Sequence, residues 1–326
     1  MSCDTGLLRA LAPGMPRSGE RLGAELGISR AAVWKAVQRL RTLGVEIESL
    51  PRRGYRLAAP LELLDAAAIR AALPQSLAAG LAAIEVHDAI DSTNARVLAA
   101  APPGRLIACL AEHQSAGRGR RGRSWFAAPG AGICLSVGGR FAAAPADFAA
   151  LAPAVGAACA TALAAAGVPE IRLKWPNDLL LGEGKLGGIL VELRGEAQGP
   201  VTLAVGVGIN LRLAASTRAA ILAGGGLAPA DLSGCPVPGR NRLAAALLEA
   251  VAGCLVAPAA MLGESARATW QARDALRGRK VRVEGAGAVL EGRARGLDES
   301  GALLLEGADG TRRRVTAGEV SLREAP

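Results

Sequence analysis

Residues 148–169 carry no charged side chain over 22 consecutive positions, and a run of that kind has only two fates. As a helix it is long enough to cross a bilayer; otherwise it is buried inside a globular core. The run is mostly Ala and Gly with two prolines, and its larger apolar residues Phe148, Leu151, Val155 and Leu163 recur at helical spacing. That periodicity predicts a buried helix packed through small residues rather than a membrane span.

The rest of the composition fits a core of that sort. The chain has 326 residues, 51% hydrophobic and 21% charged, which excludes disorder, collagen and coiled coil. The length predicts more than one domain. Lys and Arg exceed acidic residues by nine, which favours phosphate-bearing or polyanionic partners. The cysteines at 3, 109, 134, 159, 235 and 254 form no C-x-x-C pair, so neither a metal site nor a disulfide framework is expected. With no basic segment leading into an apolar one at the start, a cytoplasmic protein is expected.

The first 57 residues hold ten Lys/Arg against five acids. Leu7, Leu8 and Leu11 mark one helix. Ser18 caps a second that Gly27 stops, and Ser29 caps a third whose Val33, Val37 and Leu40 form one buried stripe before Gly44. Its other face shows Arg30, Trp34, Lys35, Gln38 and Arg41. Val45–Leu50 and Tyr55–Leu57 read as strands around a Pro-Arg-Arg-Gly turn. Two helices joined at Leu26-Gly27-Ile28, followed by a basic hairpin, are a winged helix-turn-helix: the third helix suits a major groove and the wing brings Arg52 and Arg53 to phosphates. A short helix is expected from Leu61 to Leu73, ending at Pro74. Strands then alternate with Ala-rich helices to about residue 272, and five short strands over the last fifty residues suggest a small barrel.

Aromatic residues make up only 2% of the chain, so each Trp is informative. Trp125 closes Gly117-Arg-Gly-Arg-Arg-Gly-Arg-Ser-Trp125. Its glycines match G-x-G-x-x-G, but no helical run follows to bring a helix N-terminus under a pyrophosphate, so the dinucleotide fingerprint is rejected. Arg118, Arg120, Arg121 and Arg123 instead offer four guanidinium forks for phosphate or carboxylate on a backbone that glycine lets close over a ligand. Trp175 lies in Lys174-Trp-Pro-Asn-Asp178, where Pro176 predicts an extended residue before it. Gly184-Lys185-Leu-Gly-Gly188 leads into the strand Ile189–Leu193; it is no Walker A loop, and a Lys among glycines at a strand mouth is a compact charge for a developing anion. Asp91-Ser-Thr-Asn94 is a helix cap that also supplies small donors and acceptors, and Gly206-Val-Gly-Ile-Asn210 is a strand end. His87 and His113 pair with no nucleophile, so a catalytic triad has no support.

These stretches, in this order and spacing, resemble the biotin protein ligases, specifically the bifunctional ligase and biotin operon repressor members, over nearly the whole chain. The resemblance implies a winged helix-turn-helix over 1–60, a mixed-sheet ligase domain like that of class II aminoacyl-tRNA synthetases over 75–272, and a small SH3-like β-barrel over 277–326. It implies that ATP, with Mg²⁺, activates biotin as biotinyl-5′-AMP, and that biotin then passes to a lysine of a biotin carboxyl carrier protein. Ser92, Thr93, Asn94, Gln114, Gly117, Arg118, Arg120, Lys185 and Gly188 would bind biotin. Arg118, Arg120, Arg121, Arg123, Trp125, Asn177, Lys185 and Asn210 would hold ATP. Arg120, Lys185 and Asp178 would be catalytic, with Asp178 orienting or deprotonating the incoming amine, or holding water or metal; no resident metal is implied. Ser29, Arg30, Trp34, Lys35, Gln38, Arg52 and Arg53 would meet operator DNA, with a homodimer forming when the adenylate is bound. Glu319 and Arg323 also match positions of known members.

One segment departs from the pattern. Leu213–Ala228 should hold the loop that folds over the adenylate, yet it has no aromatic residue, leaving aliphatic cover such as Ile221 and Leu222 and putting the adenylate-to-dimer coupling in question. Lipoate ligase shares the chemistry but carries a Gly-Gly-Gly segment leading into His-Asp, absent here. A ligand-sensing regulator, and a ligase whose head no longer reads an operator, are the other readings.

Overall fold

The computed structural model describes residues 3–142, 148–195, 199–225, 227–256, 262–285, 288–316 and 318–322. Arg323 lies outside them.

Helices α1 (Cys3–Leu11), α2 (Gly19–Leu26) and α3 (Arg30–Thr42) pack with the hairpin β1 (Ile47–Leu50) and β2 (Gly54–Leu57) around Leu7, Leu11, Leu22, Val33, Val37 and Leu40. Each cap acts as the sequence predicts: Ser18 accepts from Arg21 N–H and Ser29 from Ala32 N–H, while Gly27 ends α2 at φ 65° in the left-handed region that a Cβ disfavours. Arg17 exchanges two backbone hydrogen bonds with Tyr55 and adds a short third strand to the wing.

The expected helix from Leu61 to Leu73 is shorter. Only α4 (Ala66–Ala71) forms, capped by Asp65, and a further turn of helix, α5 (Gln75–Gly80), follows Pro74. Tertiary bonds hold the residues before α4 extended. Leu64 N–H donates to Glu112 Oε1 at 2.6 Å, and Glu62 accepts from the Arg240 N–H and the Asn241 amide.

The central domain is one seven-stranded sheet built from β3 (Leu81–His87), β4 (Leu106–Ala111), β5 (Gly132–Phe141), β6 (Ile171–Lys174), β7 (Asp178–Leu181), β8 (Gly184–Gly195) and β9 (Val201–Asn210). Its order is β3-β4-β5-β9-β8-β7-β6, antiparallel except for the β3–β4 pair. Alternation along β5 and β9 separates the two faces. Ile133, Leu135, Val137, Val205, Val207 and Ile209 join the main core, while Cys134, Ser136, Gly206, Gly208 and Asn210 take the other side. Helix α6 (Thr93–Ala100) covers part of that second side. The charge-free run forms α7 (Phe148–Ala165), with Leu151, Val155 and Leu163 fully buried. It packs with α9 (Arg240–Val256) and α10 (Glu264–Arg273) on the core face, and Gly156 lies where a Cβ would stand 3.2 Å from the Trp270 ring. Among the described residues, no helix is long and apolar enough to cross a membrane.

The segment expected as a covering loop contains a helix, α8 (Ala215–Ala223), whose Arg218 pairs with Asp231 at 2.5 Å. The C-terminal strands β10 (Lys280–Gly285), β11 (Ala288–Leu297), β12 (Leu303–Glu306), β13 (Arg312–Val315) and β14 (Glu319–Leu322) form one antiparallel sheet in the order β13-β12-β11-β10-β14. Its apolar side, including Val281, Val283 and Leu303, joins the central core.

Candidate functional site

A cavity of about 690 Å³ opens on the non-core face of the large sheet. Register explains its floor. Cys134 pairs with Gly208, Gly208 with Gly188 and Gly188 with Asp178, so one row across four strands is cysteine, two glycines and a carboxylate. The parallel row runs from Ser136 to Gly206. Glycine is required here because a Cβ on Gly208 would stand 2.5 Å from the Trp125 ring, and one on Gly206 would stand 2.6 Å from Asn94 Oδ1. The G-V-G-I-N stretch is therefore an alternating strand whose small face admits a ligand.

The cap Ser92–Asn94 at the start of α6 closes one end, each residue at most 5% exposed. Ser136 Oγ lies 2.7 Å from Thr93 Oγ1 and 2.6 Å from Asn94 Oδ1, while Thr93 Oγ1 lies 3.1 Å from Gln114 Oε1. Two hydroxyl hydrogens serve these three contacts, and an amide oxygen can only accept. The assignment that leaves neither short pair without a hydrogen has Thr93 donating to Ser136 and Ser136 donating to Asn94. The Thr93 N–H then holds Gln114 Oε1 at 2.8 Å. Asn94 Nδ2 spends both its hydrogens, on Leu190 O at 3.2 Å and on Glu192 Oε2 at 2.7 Å. Ser92 Oγ accepts from the Ala95 N–H and keeps its own hydrogen. This end of the cavity thus offers hydrogens from Ser92 and Gln114 Nε2 and a lone pair from Asn94. Burial pushes the pKa of the Cys134 thiol, on the floor beside them, up to about 11.

The arginine loop closes the other side. No helix follows it: Arg120–Gly122 is a single 3-10 turn, Gly119 N–H donates to Arg123 O at 2.7 Å, and Trp125 N–H donates to Gly117 O at 2.9 Å. Arg118, Arg120, Arg121 and Arg123 all line the cavity. Gly117 sits beneath the loop, where a Cβ would be 2.8 Å from Trp125 O. Arg120 reaches Asn177 Oδ1 at 3.4 Å and Gly318 O at 3.3 Å, so the barrel helps hold it. Lys185 Nζ stands 2.6 Å from Asp178 Oδ1. Asn210 is 5% exposed and braces Lys185 O and Ala230 O. From α8, Ile221 lines the cavity; Leu222 is 52% exposed and is absent from its wall, where Leu227 stands instead.

Sequence reasoning missed two residues of this site. Ser136 and Glu192 are polar positions within strands and carry no motif of their own. Trp175 is 3% exposed and donates from Nε1 to Gly301 O at 3.0 Å, tying the ligase sheet to the barrel; its bond to Pro176 is cis. The sequence pairs His87 with no cysteine, yet Cys109 lies with Glu85 and His87, their potential ligand atoms within 4.8 Å of one another. Arg96 bonds both Glu85 oxygens at 2.7 and 2.8 Å, and that pairing lowers the Glu85 pKa to about 2.

In the head, Arg30, Trp34, Lys35, Arg52 and Arg53 are exposed and Gln38 is half-buried. Ser29 spends its side chain on the helix cap. Arg41, expected on the same basic face, turns instead to Ile47 O at 2.7 Å and Ser49 Oγ at 2.9 Å.

A winged head, a mixed sheet with an arginine loop and cap-lined cavity, and a small β-barrel together define a ligase with a DNA-binding module. Residues 86–210 match the Biotin/lipoate A/B protein ligase family, residues 277–323 the Biotin protein ligase C terminal domain, and residues 7–56 an HTH domain. The Bifunctional ligase/repressor BirA of Salmonella typhimurium is 38% identical over 98% of this chain and 97% of its own length. The Biotin--[acetyl-CoA-carboxylase] ligase of Mycobacterium tuberculosis is 39% identical over 70% of this chain and 85% of its own. Biotin protein ligase from Aquifex aeolicus, solved in complex with biotin and ATP, shares the fold at a TM-score of 0.59 and 24% identity, over 75% of this chain and all of that one. The chain belongs to the biotin protein ligase family, in its bifunctional ligase/repressor branch.

Proposed function

We propose that the chain activates biotin with ATP as biotinyl-5′-AMP and transfers the biotinyl group to a lysine of a biotin carboxyl carrier protein. The observation that carries this reading is the hydrogen-bond polarity at the capped end. Hydrogens from Ser92 and Gln114 suit a carbonyl oxygen and the Asn94 lone pair suits an adjacent N–H, which is the pattern of a cyclic urea. Gly206, Gly208 and Gly188 leave room for an aliphatic tail. At its far end the carboxylate meets the cationic loop.

Attack of a carboxylate oxygen on the α-phosphorus brings like charges together as pyrophosphate departs with the bridging electron pair. Arg118, Arg120, Arg121, Arg123 and Lys185 neutralise both partners. Trp125, Asn177 and Asn210 serve the nucleotide side. Asp178 then orients the lysine amine that attacks the acyl carbon and releases AMP. The carboxylates on the cavity wall, Asp178 and Glu284, already face Lys185 and Arg282. Mg²⁺ would therefore arrive on the triphosphate, where it supplies charge neutralisation.

In the same proposal the head binds operator DNA, with Arg30, Trp34, Lys35 and Gln38 toward the groove and Arg52 and Arg53 on phosphates. The adenylate-bound chain acts as a homodimer in the cytoplasm. Incubation with ATP, Mg²⁺, biotin and a carrier domain, read by intact mass, tests the enzymatic part: the carrier gains one biotinyl group, and an unchanged mass refutes it.

A further inference from the structure

Asn94 is bonded by two residues that the ligand-reading set does not include. Ser136 is fully buried on β5 and donates to Asn94 Oδ1 at 2.6 Å, while Glu192 on β8 takes a hydrogen from Nδ2 at 2.7 Å. An amide is nearly isosteric under a flip that exchanges oxygen and nitrogen, so only its partners decide which atom meets a ligand. Here one neighbour is a hydroxyl, which can donate or accept and so follows the amide's orientation. The other is a carboxylate that can only accept. Leu190 O, also acceptor-only, reinforces it at 3.2 Å. A flipped Asn94 would aim its oxygen at two acceptors. Glu192 Oε1 also lies 3.8 Å from an Arg118 guanidinium nitrogen, so the same carboxylate faces the arginine loop.

We propose that Glu192 is a positioning residue that, with Ser136 completing the bond to Oδ1, fixes Asn94 as a hydrogen-bond acceptor and thereby makes the pocket selective for an acid whose ring carries an N–H. The inference rests on the biotin reading and extends it to specificity. Ser136 borders the cavity as well as bonding Asn94, whereas Glu192 stands outside the cavity wall. Ser136 acts through Thr93 and Asn94, and Glu192 acts through Asn94.

The test pairs a residue change with a ligand change, a cycle that isolates one interaction from general loosening. Biotin and its two ureido N-methyl isomers are titrated by calorimetry into the full chain, Ser136→Ala and Glu192→Leu. The wild type binds biotin and discriminates against the isomer that lacks the N–H facing Asn94. Each variant is expected to lose about tenfold in biotin affinity, the scale of one buried hydrogen bond, while binding of that isomer changes less than about twofold. The Michaelis constant for ATP stays near wild type in Ser136→Ala. A parallel loss for biotin and both isomers, or no loss at all, overturns the proposal. A wild type that binds no biotin overturns the biotin reading instead.

Discussion

Lys185 and Asp178 meet at 2.6 Å although they are not cross-strand partners. Asp178 pairs with Gly188, and the β7–β8 register shifts between Leu179 and Leu180. Lys185 therefore reaches back over Gly188, where a Cβ would stand 3.4 Å from its Nζ. A cation and a carboxylate share one place at the edge of the glycine floor, and the two half-reactions should separate there. Lys185→Ala is expected to slow adenylate formation by about a hundredfold or more, the scale of one removed anion-stabilising group, with biotin still bound. Asp178→Asn is expected to bind biotin normally and to slow single-turnover transfer to the carrier. Normal transfer by that variant would remove Asp178 from the mechanism.

The junction between head and ligase domain depends on a buried ion pair. Arg240 donates to Glu112 at 2.6 Å and to Gly132 O at 2.7 Å, with both side chains at most 5% exposed, and Glu112 also accepts from Leu64 N–H. Removing one partner strands a buried charge. Arg240→Ala should cost about 3–5 kcal/mol by chemical denaturation. A loss under about 1 kcal/mol, the range of an exposed pair, would show that water reaches this site.

How far the sequence reached depends on the range of the interaction. Caps and turns are local, so Ser18, Gly27 and Ser29 were readable from neighbours one to three residues away. The arginine loop and Lys185 were readable because charge among glycines needs a reason. Helix α4 was misjudged because Glu112 and Asn241, far along the chain, hold the residues before it extended. Arg41 was misjudged because its partner is the carbonyl of Ile47 on the wing. Ser136 and Glu192 could not be singled out, since their meaning arises only when β5 and β8 are brought beside α6.

Trp175 joins two domains through one bond, Nε1 to Gly301 O at 3.0 Å. Trp175→Phe keeps most of the ring and deletes the donor. A loss of about 1–3 kcal/mol is expected, because Gly301 O is left without that partner. Since Arg120 also contacts Gly318 O in the barrel, the ATP Michaelis constant should rise while biotin affinity holds. Equal loss for both substrates would argue against a barrel-specific effect.

Arg52 and Arg53 are exposed at the wing tip, whereas Arg41 is tied to the hairpin. Arg53→Ala should weaken DNA binding equally across sequences and lower the logarithmic salt slope by about one. Trp34→Ala on the exposed face of α3 should alter sequence preference instead. Fluorescence anisotropy over a salt series separates them. An unchanged slope for Arg53→Ala would take the wing off the phosphates.

The most direct test of the whole account is acid-dependent exchange of labelled pyrophosphate into ATP by the purified chain with Mg²⁺, with biotin and lipoate run in parallel. The account predicts exchange with biotin and none with lipoate, whose dithiolane ring offers no N–H to Asn94. Exchange with lipoate alone, or with neither acid in folded protein, would contradict it.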